Sequence, residues 1–257
     1  MRITRAVVPS LFTVLNMFSG FMAIIHASRL EFTPACWFIV LAALFDSLDG
    51  VMARITRSAS QFGVEIDSLS DVVSFGAAPA FIVFQLFAQQ AHEPRGIDIL
   101  ISSLLMILGG LRLARFNVQL VGFDKDHFTG LPIPASAITI AAFVLNYHSD
   151  QNGLNPIAAA VLPWLVVALA LLMVSKVKYE TLPKPSKRAF RKEPWKFVAF
   201  GAAVIIAIAS GGYAIFPMFV LFIAFGVVRH VAVSARRFLK HEEKYDEEAV
   251  EPTRLEP

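Results

Sequence analysis

Asp46-Ser-Leu-Asp49-Gly50-Val-Met-Ala53-Arg54, followed by Gly63-Val-Glu-Ile-Asp67-Ser-Leu-Ser-Asp71, places four aspartates at spacings of three and four residues inside two strongly apolar segments. Those spacings stack side chains on one helix face. Two carboxylates therefore project from one predicted helix and two from the next. Carboxylates at membrane depth are costly and mark sites that face an interior cavity. Four of them close together repel, and a divalent metal relieves that repulsion. All-oxygen ligands suit hard cations such as Mg2+ or Mn2+. A helix-end position in a solvated loop would account for one such aspartate, but not for four in register.

Neighbouring residues sharpen this reading. Asp46, Asp49, Gly50, Ala53 and Arg57 fall near one helical face. Gly50 and Ala53 carry almost no side chain, so a ligand or backbone can approach closely. Arg54 adds a planar cation suited to phosphate. Metal, small residues and a guanidinium together fit a pyrophosphate.

The bulk composition agrees with membrane depth. The chain has 257 residues, 56% hydrophobic and 17% charged, and a mean hydropathy of +0.62. Soluble domains of this size carry more charge, so an integral membrane protein is expected. The single cysteine, Cys36, excludes an internal disulfide and a multi-cysteine metal site. A net charge of +3 could suggest nucleic acid. The charges flank apolar spans instead, which suits topology and anionic lipid contact, and no nucleic-acid partner is expected. Arg2 and Arg5 before an apolar run imitate a signal peptide. That run is too long for a signal core, so it is read as an uncleaved first span.

The expected fold is an all-α integral membrane protein, a polytopic bundle of about eight transmembrane helices. The spans are Val8–His26, Thr33–Met52, Ile66–Phe87, Ile97–Arg115, Pro134–Tyr147, Pro156–Val177, Phe197–Ala209 and Tyr213–Val233, the fifth and seventh being short. Arginines and lysines cluster after the second, fourth, sixth and eighth spans, while the alternate loops are nearly bare. This asymmetry puts both termini and the aspartates on the cytoplasmic side of the inner membrane. Residues 1–240 read as one membrane-embedded domain. Thr181–Pro194 reads as a loop against the membrane surface, and 241–257 as a charged, disordered tail.

The aspartate stretch resembles the CDP-alcohol phosphotransferase signature. Its fixed positions are filled by Asp46, Asp49, Gly50, Ala53, Arg54, Gly63, Asp67 and Asp71. Other stretches resemble the bacterial membrane-embedded phosphatidylserine synthase branch of that family: Pro9 to Gly20, Ser74-Phe75-Gly76 with Pro79, Arg112 to Asn117, and Gly130 to Pro134. The likeness runs from Pro9 to about Lys187. Val72 after the last aspartate departs from the Asp-Lys expected of phosphatidylglycerophosphate synthases. The resemblance implies transfer of the phosphatidyl group of CDP-diacylglycerol to L-serine with release of CMP. It implies Asp46, Asp49, Asp67 and Asp71 as ligands of two Mg2+ or Mn2+ ions, and Asp71 as general base. Gly50, Ala53, Arg54, Gly63 and Asn16 would then line the nucleotide and pyrophosphate. A homodimer is left open.

Several residues carry two readings. Arg112 and Arg115, three apart on one face of the fourth span, could hold the serine carboxylate or the lipid phosphate, or simply anchor the span. Asn16 and Thr13 could touch the cytidine or the aspartates, or form interhelical hydrogen bonds. Ser74 and Asn117 could add hydrogen bonds to substrate. The six histidines lack ligand spacing, and none is assigned to metal. Pro132 and Pro134 shape the start of the fifth span. Two alternatives stand beside the serine transferase. One is a relative acting on another acceptor, glycerol phosphate or inositol phosphate, or on an archaeal-type lipid donor. The other is a cation transporter.

Overall fold

In a bilayer every backbone N–H and C=O must be satisfied within the segment, so apolar runs of crossing length become helices. The computed structural model describes residues 4–56, 61–91, 96–121, 130–177, 179, 201–202, 205–207 and 209–250. Among these, α1 is Thr4–Ser28, α2 is Phe32–Thr56, α3 is Gln61–Asp71 and α4 is Ala78–Ala91. Next come α5 at Gly96–Val121, α6 at Ile133–Tyr147, α7 at Pro156–Val174 and α8 at Ile215–Val250. A π-helical segment, Val72–Ala77, joins α3 to α4 without a break. Two short strands, β1 at His148–Ser149 and β2 at Gly153–Leu154, pair antiparallel between α6 and α7.

Six helical stretches among the described residues are long and apolar enough to cross a membrane, and Ile133–Tyr147 is a shorter apolar helix. The protein is thus a polytopic helical membrane protein. These stretches match seven of the expected spans, including the short fifth. The expected seventh span, Phe197–Ala209, falls largely outside the described residues, as do Arg57 and Thr181–Pro194. One expectation differs from the structure: α8 stays helical through Val250, well into the segment read as a disordered tail. His241–Val250 holds Glu, Lys and Ala, which are strong helix formers, and it continues a helix already nucleated in the bundle.

The first two helices form an antiparallel hairpin packed through small residues. Ala23 and Ala27 of α1 and Ala35, Cys36 and Ala42 of α2 are fully buried, which lets the two backbones approach closely. The turn closes on Leu30, whose positive φ of 63° places it in the left-handed region. The Leu30 N–H donates to the Ala27 carbonyl at 3.0 Å, a helix cap that glycine usually provides.

Helix α6 is the most enclosed element: Thr139 to Val144 are all buried. Its start is fixed as expected, with Pro132 capping the helix and Pro134 in its first turn. Gly130 precedes them with φ of 91°. A side chain there would run into the Met173 carbonyl, and the Gly130 N–H donates to Val177 O at 2.8 Å. This pins the α6 start to the α7 end. The core gathers Phe32, Ile39, Phe75, Ile82, Leu105, Ile140 and Leu169, all essentially inaccessible. Outward faces carry exposed Leu11, Phe18, Leu100, Leu111, Trp164 and Leu221, as lipid contact permits.

Candidate active site

The aspartates sit on the second half of α2 and the last turns of α3, against the first half of α1. One carboxylate oxygen each from Asp46, Asp67 and Asp71 lie within 4.8 Å of one another. Asp49 is outside that triple, although it lies within electrostatic reach of Asp46 and Asp67. Its Oδ2 accepts a hydrogen bond from the Thr13 hydroxyl. Its Oδ1 is buried and has no hydrogen-bond partner. A buried, unsatisfied carboxylate oxygen beside three further carboxylates is costly unless a cation joins them. The donor set is oxygen only, which fits a hard divalent ion.

Helix α1 is keyed to this site by polar contacts in an apolar setting. Asn16 is fully buried, and its Nδ2 donates to Asp71 Oδ1 at 3.4 Å. In return α3 and the π segment hold α1: the Ser70 hydroxyl donates to Thr13 O at 3.1 Å, and the Ser74 hydroxyl to Asn16 O at 2.8 Å. Thr13 and Asn16 thus both touch the aspartates, through hydrogen bonds that also join α1 to α2 and α3. Ser74 is spent on the α1 backbone instead of facing a substrate. Asn117 Nδ2 donates to Ser68 Oγ at 2.9 Å and ties the end of α5 to α3.

The two arginines of α5 part company. Arg112 is half-buried, its Nε enclosed with no hydrogen-bond partner, and its charge interacts with Asp71. Arg115 is exposed. Gly50 opens on free space, with nothing within 4 Å of where a Cβ would stand. Ala53 and Gly63 are half-buried on the same two helices. The Arg54 side chain lies outside the described residues, although its backbone belongs to α2.

Ser70 builds the site without belonging to the aspartate motif, and the sequence carries a signal for it. Asp67, Ser70, Asp71 and Ser74 recur at three- and four-residue steps, a polar stripe that runs from α3 into the apolar segment after it. A separate cavity of about 710 Å3 lies at the α1–α2 turn, lined by Glu31, Gln89, His148 and Asp150 among others. At 1.5 Å per residue along α1 it is roughly 25 Å from Thr13, and it is no part of the aspartate site.

A family model, CDP-alcohol phosphatidyltransferase, matches residues 6–174, which contain every residue of this site. The chain belongs to the CDP-alcohol phosphatidyltransferase family. It is accordingly a phosphotransferase embedded in the membrane, and family membership removes the transporter alternative. A CDP-diacylglycerol–serine O-phosphatidyltransferase of Helicobacter pylori is 36% identical over 195 residues, covering 75% of this chain and 76% of the relative. A protein of the same description from Methanocaldococcus jannaschii is 34% identical, covering 85% of this chain and 92% of its own length. An archaetidylserine synthase of Methanothermobacter thermautotrophicus is 41% identical over 174 residues, covering 66% of this chain and 68% of the relative.

Proposed function

We propose that this phosphotransferase joins L-serine to the phosphatidyl group of CDP-diacylglycerol, giving phosphatidylserine and CMP. The observation that carries the chemistry is the convergence of Asp46, Asp67 and Asp71 oxygens within 4.8 Å. The choice of serine leans on the relatives, whose descriptions name serine transfer or archaetidylserine synthesis.

In this reading Asp46, Asp49, Asp67 and Asp71 hold two divalent ions, Mg2+ or Mn2+. When bound, such ions neutralise the pyrophosphate and make its phosphorus a better electrophile. Gly50, Ala53 and Gly63 give the nucleotide room, and Arg54 pairs with its phosphates. The serine hydroxyl attacks the phosphorus next to the lipid. The new P–O bond forms as the bond to CMP breaks, and Asp71 takes the hydroxyl proton as general base. Arg112 is the better placed guanidinium for a serine carboxylate or lipid phosphate, because its buried Nε lacks an acceptor. The acyl chains stay in the bilayer, so the site works at the interface.

The charge pattern supports about eight spans, both termini cytoplasmic, and a site open to the cytoplasm across the inner membrane. Residues 1–240 then form a single catalytic domain. The archaetidylserine synthase relative favours a second reading of the donor alone, a CDP-activated ether lipid with serine still the acceptor.

The test is direct. Purified protein is incubated with CDP-diacylglycerol or its ether-lipid counterpart, Mn2+ or Mg2+, and separately L-serine, glycerol 3-phosphate or inositol phosphate. Phosphatidylserine should form with L-serine, with stoichiometric CMP. Product from another alcohol in place of serine would overturn the assignment.

A further inference from the structure

The two hydrogen bonds from α1 to the aspartates reach different helices. Thr13 donates to Asp49 on α2, and Asn16 donates to Asp71 on α3. Both donors are almost wholly buried, Thr13 at 3% and Asn16 at 0% exposure. Each is closed off from bulk solvent and has an aspartate carboxylate oxygen as its acceptor. The α1 backbone is itself fixed at the same two residues, because Ser70 and Ser74 donate to the carbonyls of Thr13 and Asn16. The donors are thus locked at both ends.

We propose that Thr13 and Asn16 are positioning residues that set the carboxylates of Asp49 and Asp71 for a divalent cation, with α1 acting as the gauge between the two ligand-bearing helices. Thr13 occupies Asp49 Oδ2, so the buried Oδ1, which has no hydrogen-bond partner, is the oxygen left for the ion. Asn16 must present its amide nitrogen, since its carbonyl would repel the Asp71 carboxylate. Partners one step behind metal ligands fix ligand orientation, and their loss typically weakens metal binding about ten- to a hundredfold. This role goes beyond interhelical adhesion and does not require either residue to touch substrate. It rests on the reading of the aspartates as metal ligands.

The experiment measures Mn2+ binding to the full-length protein in detergent by the loss of the free-ion paramagnetic resonance signal, without substrate. Thr13→Val keeps the shape and removes the hydroxyl, Thr13→Ser keeps the hydroxyl, and Asn16→Leu removes the amide. Thr13→Val and Asn16→Leu should each weaken Mn2+ binding about ten- to a hundredfold, and Thr13→Ser should recover most of it. CDP-diacylglycerol affinity at saturating Mn2+ should stay near that of the wild type. Folded Thr13→Val protein that melts earlier but binds Mn2+ normally would reduce the contact to packing and overturn the proposal. Normal Mn2+ binding with weakened CDP-diacylglycerol binding in Asn16→Leu would move Asn16 to the nucleotide. If Asn16→Leu does not fold, the Thr13 pair decides alone. Wild-type protein that binds no Mn2+ overturns the metal reading itself, an outcome distinct from unchanged variants.

Discussion

Gly20 packs directly on Ser74: a Cβ at Gly20 would stand 2.5 Å from Ser74 Cα, closer than any real contact. The obstacle is backbone, and it cannot turn aside. This approach lets the Ser74 hydroxyl reach Asn16 O one turn earlier on α1. Gly20→Ala should therefore push α1 off the π segment, at an overpacking cost of about 1–3 kcal/mol. Gly50→Ala should not destabilise, and should gain up to about 1 kcal/mol of helix propensity, because its new methyl meets nothing within 4 Å. Thermal unfolding in detergent compares the two. Equal melting temperatures for both variants would contradict the packing argument.

Asp46→Ala and Asp67→Ala should abolish turnover while leaving the bundle folded. Both side chains are only partly buried, and in the proposed reading they provide charge toward an ion, not packing. Chelation of the wild type with EDTA should have the same effect, reversed by Mn2+ or Mg2+. Full activity in thoroughly chelated buffer would remove the metal from the mechanism.

Asp71→Asn separates ligand from base. The amide keeps the shape and one oxygen that can still face a metal, so CDP-diacylglycerol binding should fall only modestly. The single-turnover rate should drop on the order of a hundred- to ten-thousandfold, the usual cost of losing a general base. Binding and rate are measured on the same preparation. If they collapse together, Asp71 is chiefly a ligand.

Arg112→Ala should lower kcat/KM about ten- to a hundredfold, from loss of a charge-assisted hydrogen bond worth about 1.5–3 kcal/mol. The exposed Arg115, changed to Ala, should have little effect. A rise in serine KM assigns Arg112 to the carboxylate, and weaker CDP-diacylglycerol binding assigns it to phosphate. A larger loss at Arg115 would reverse the choice between them.

The far end of the bundle should respond to acid. His148 packs edge-on against Phe32 with ring centroids 4.7 Å apart. Its burial pushes the imidazole below its usual value of 6.5, with Asp150 only partly opposing the shift. The neutral form is thus favoured in the folded state. Its contribution is fully present above about pH 6.5 and is lost as pH falls below that, because the unfolded chain takes the proton first. The melting temperature should drop between about pH 7.5 and about pH 5.5 more steeply in the wild type than in His148→Phe. Matching slopes would exclude His148 as the source.

The aspartates were legible because spacing and depth both speak locally. Asp46 with Asp49, and Asp67 with Asp71, must share a helix face, and apolar flanks leave a polar interior as their only tolerable setting. Which three converge was not legible. The exclusion of Asp49 from the triple depends on Thr13, thirty-six residues away, and spacing says nothing about a neighbouring helix. Arg112 and Arg115 read as one face. Yet a three-residue step leaves about 60° between them at 3.6 residues per turn, enough for one to turn inward while the other stays exposed. The last turns of α8 are hard to read because a charge-rich composition suits disorder, while Glu, Lys and Ala also favour extension of an existing helix.

The π segment between Asp71 and Ala78 makes one continuous rod out of two halves with separate rotational phase. Each residue of an α-helix advances the face by about 100°, and the wider π turn absorbs an odd residue without breaking the rod. Substitutions along α4 can therefore alter its lipid-facing surface without re-aiming the carboxylates. Removing a single residue from Val72–Ala77 would swing α4 by about a quarter turn relative to Asp67 and Asp71. Length in this stretch thus sets the phase of α4, alongside the contact that the Ser74 side chain makes with α1.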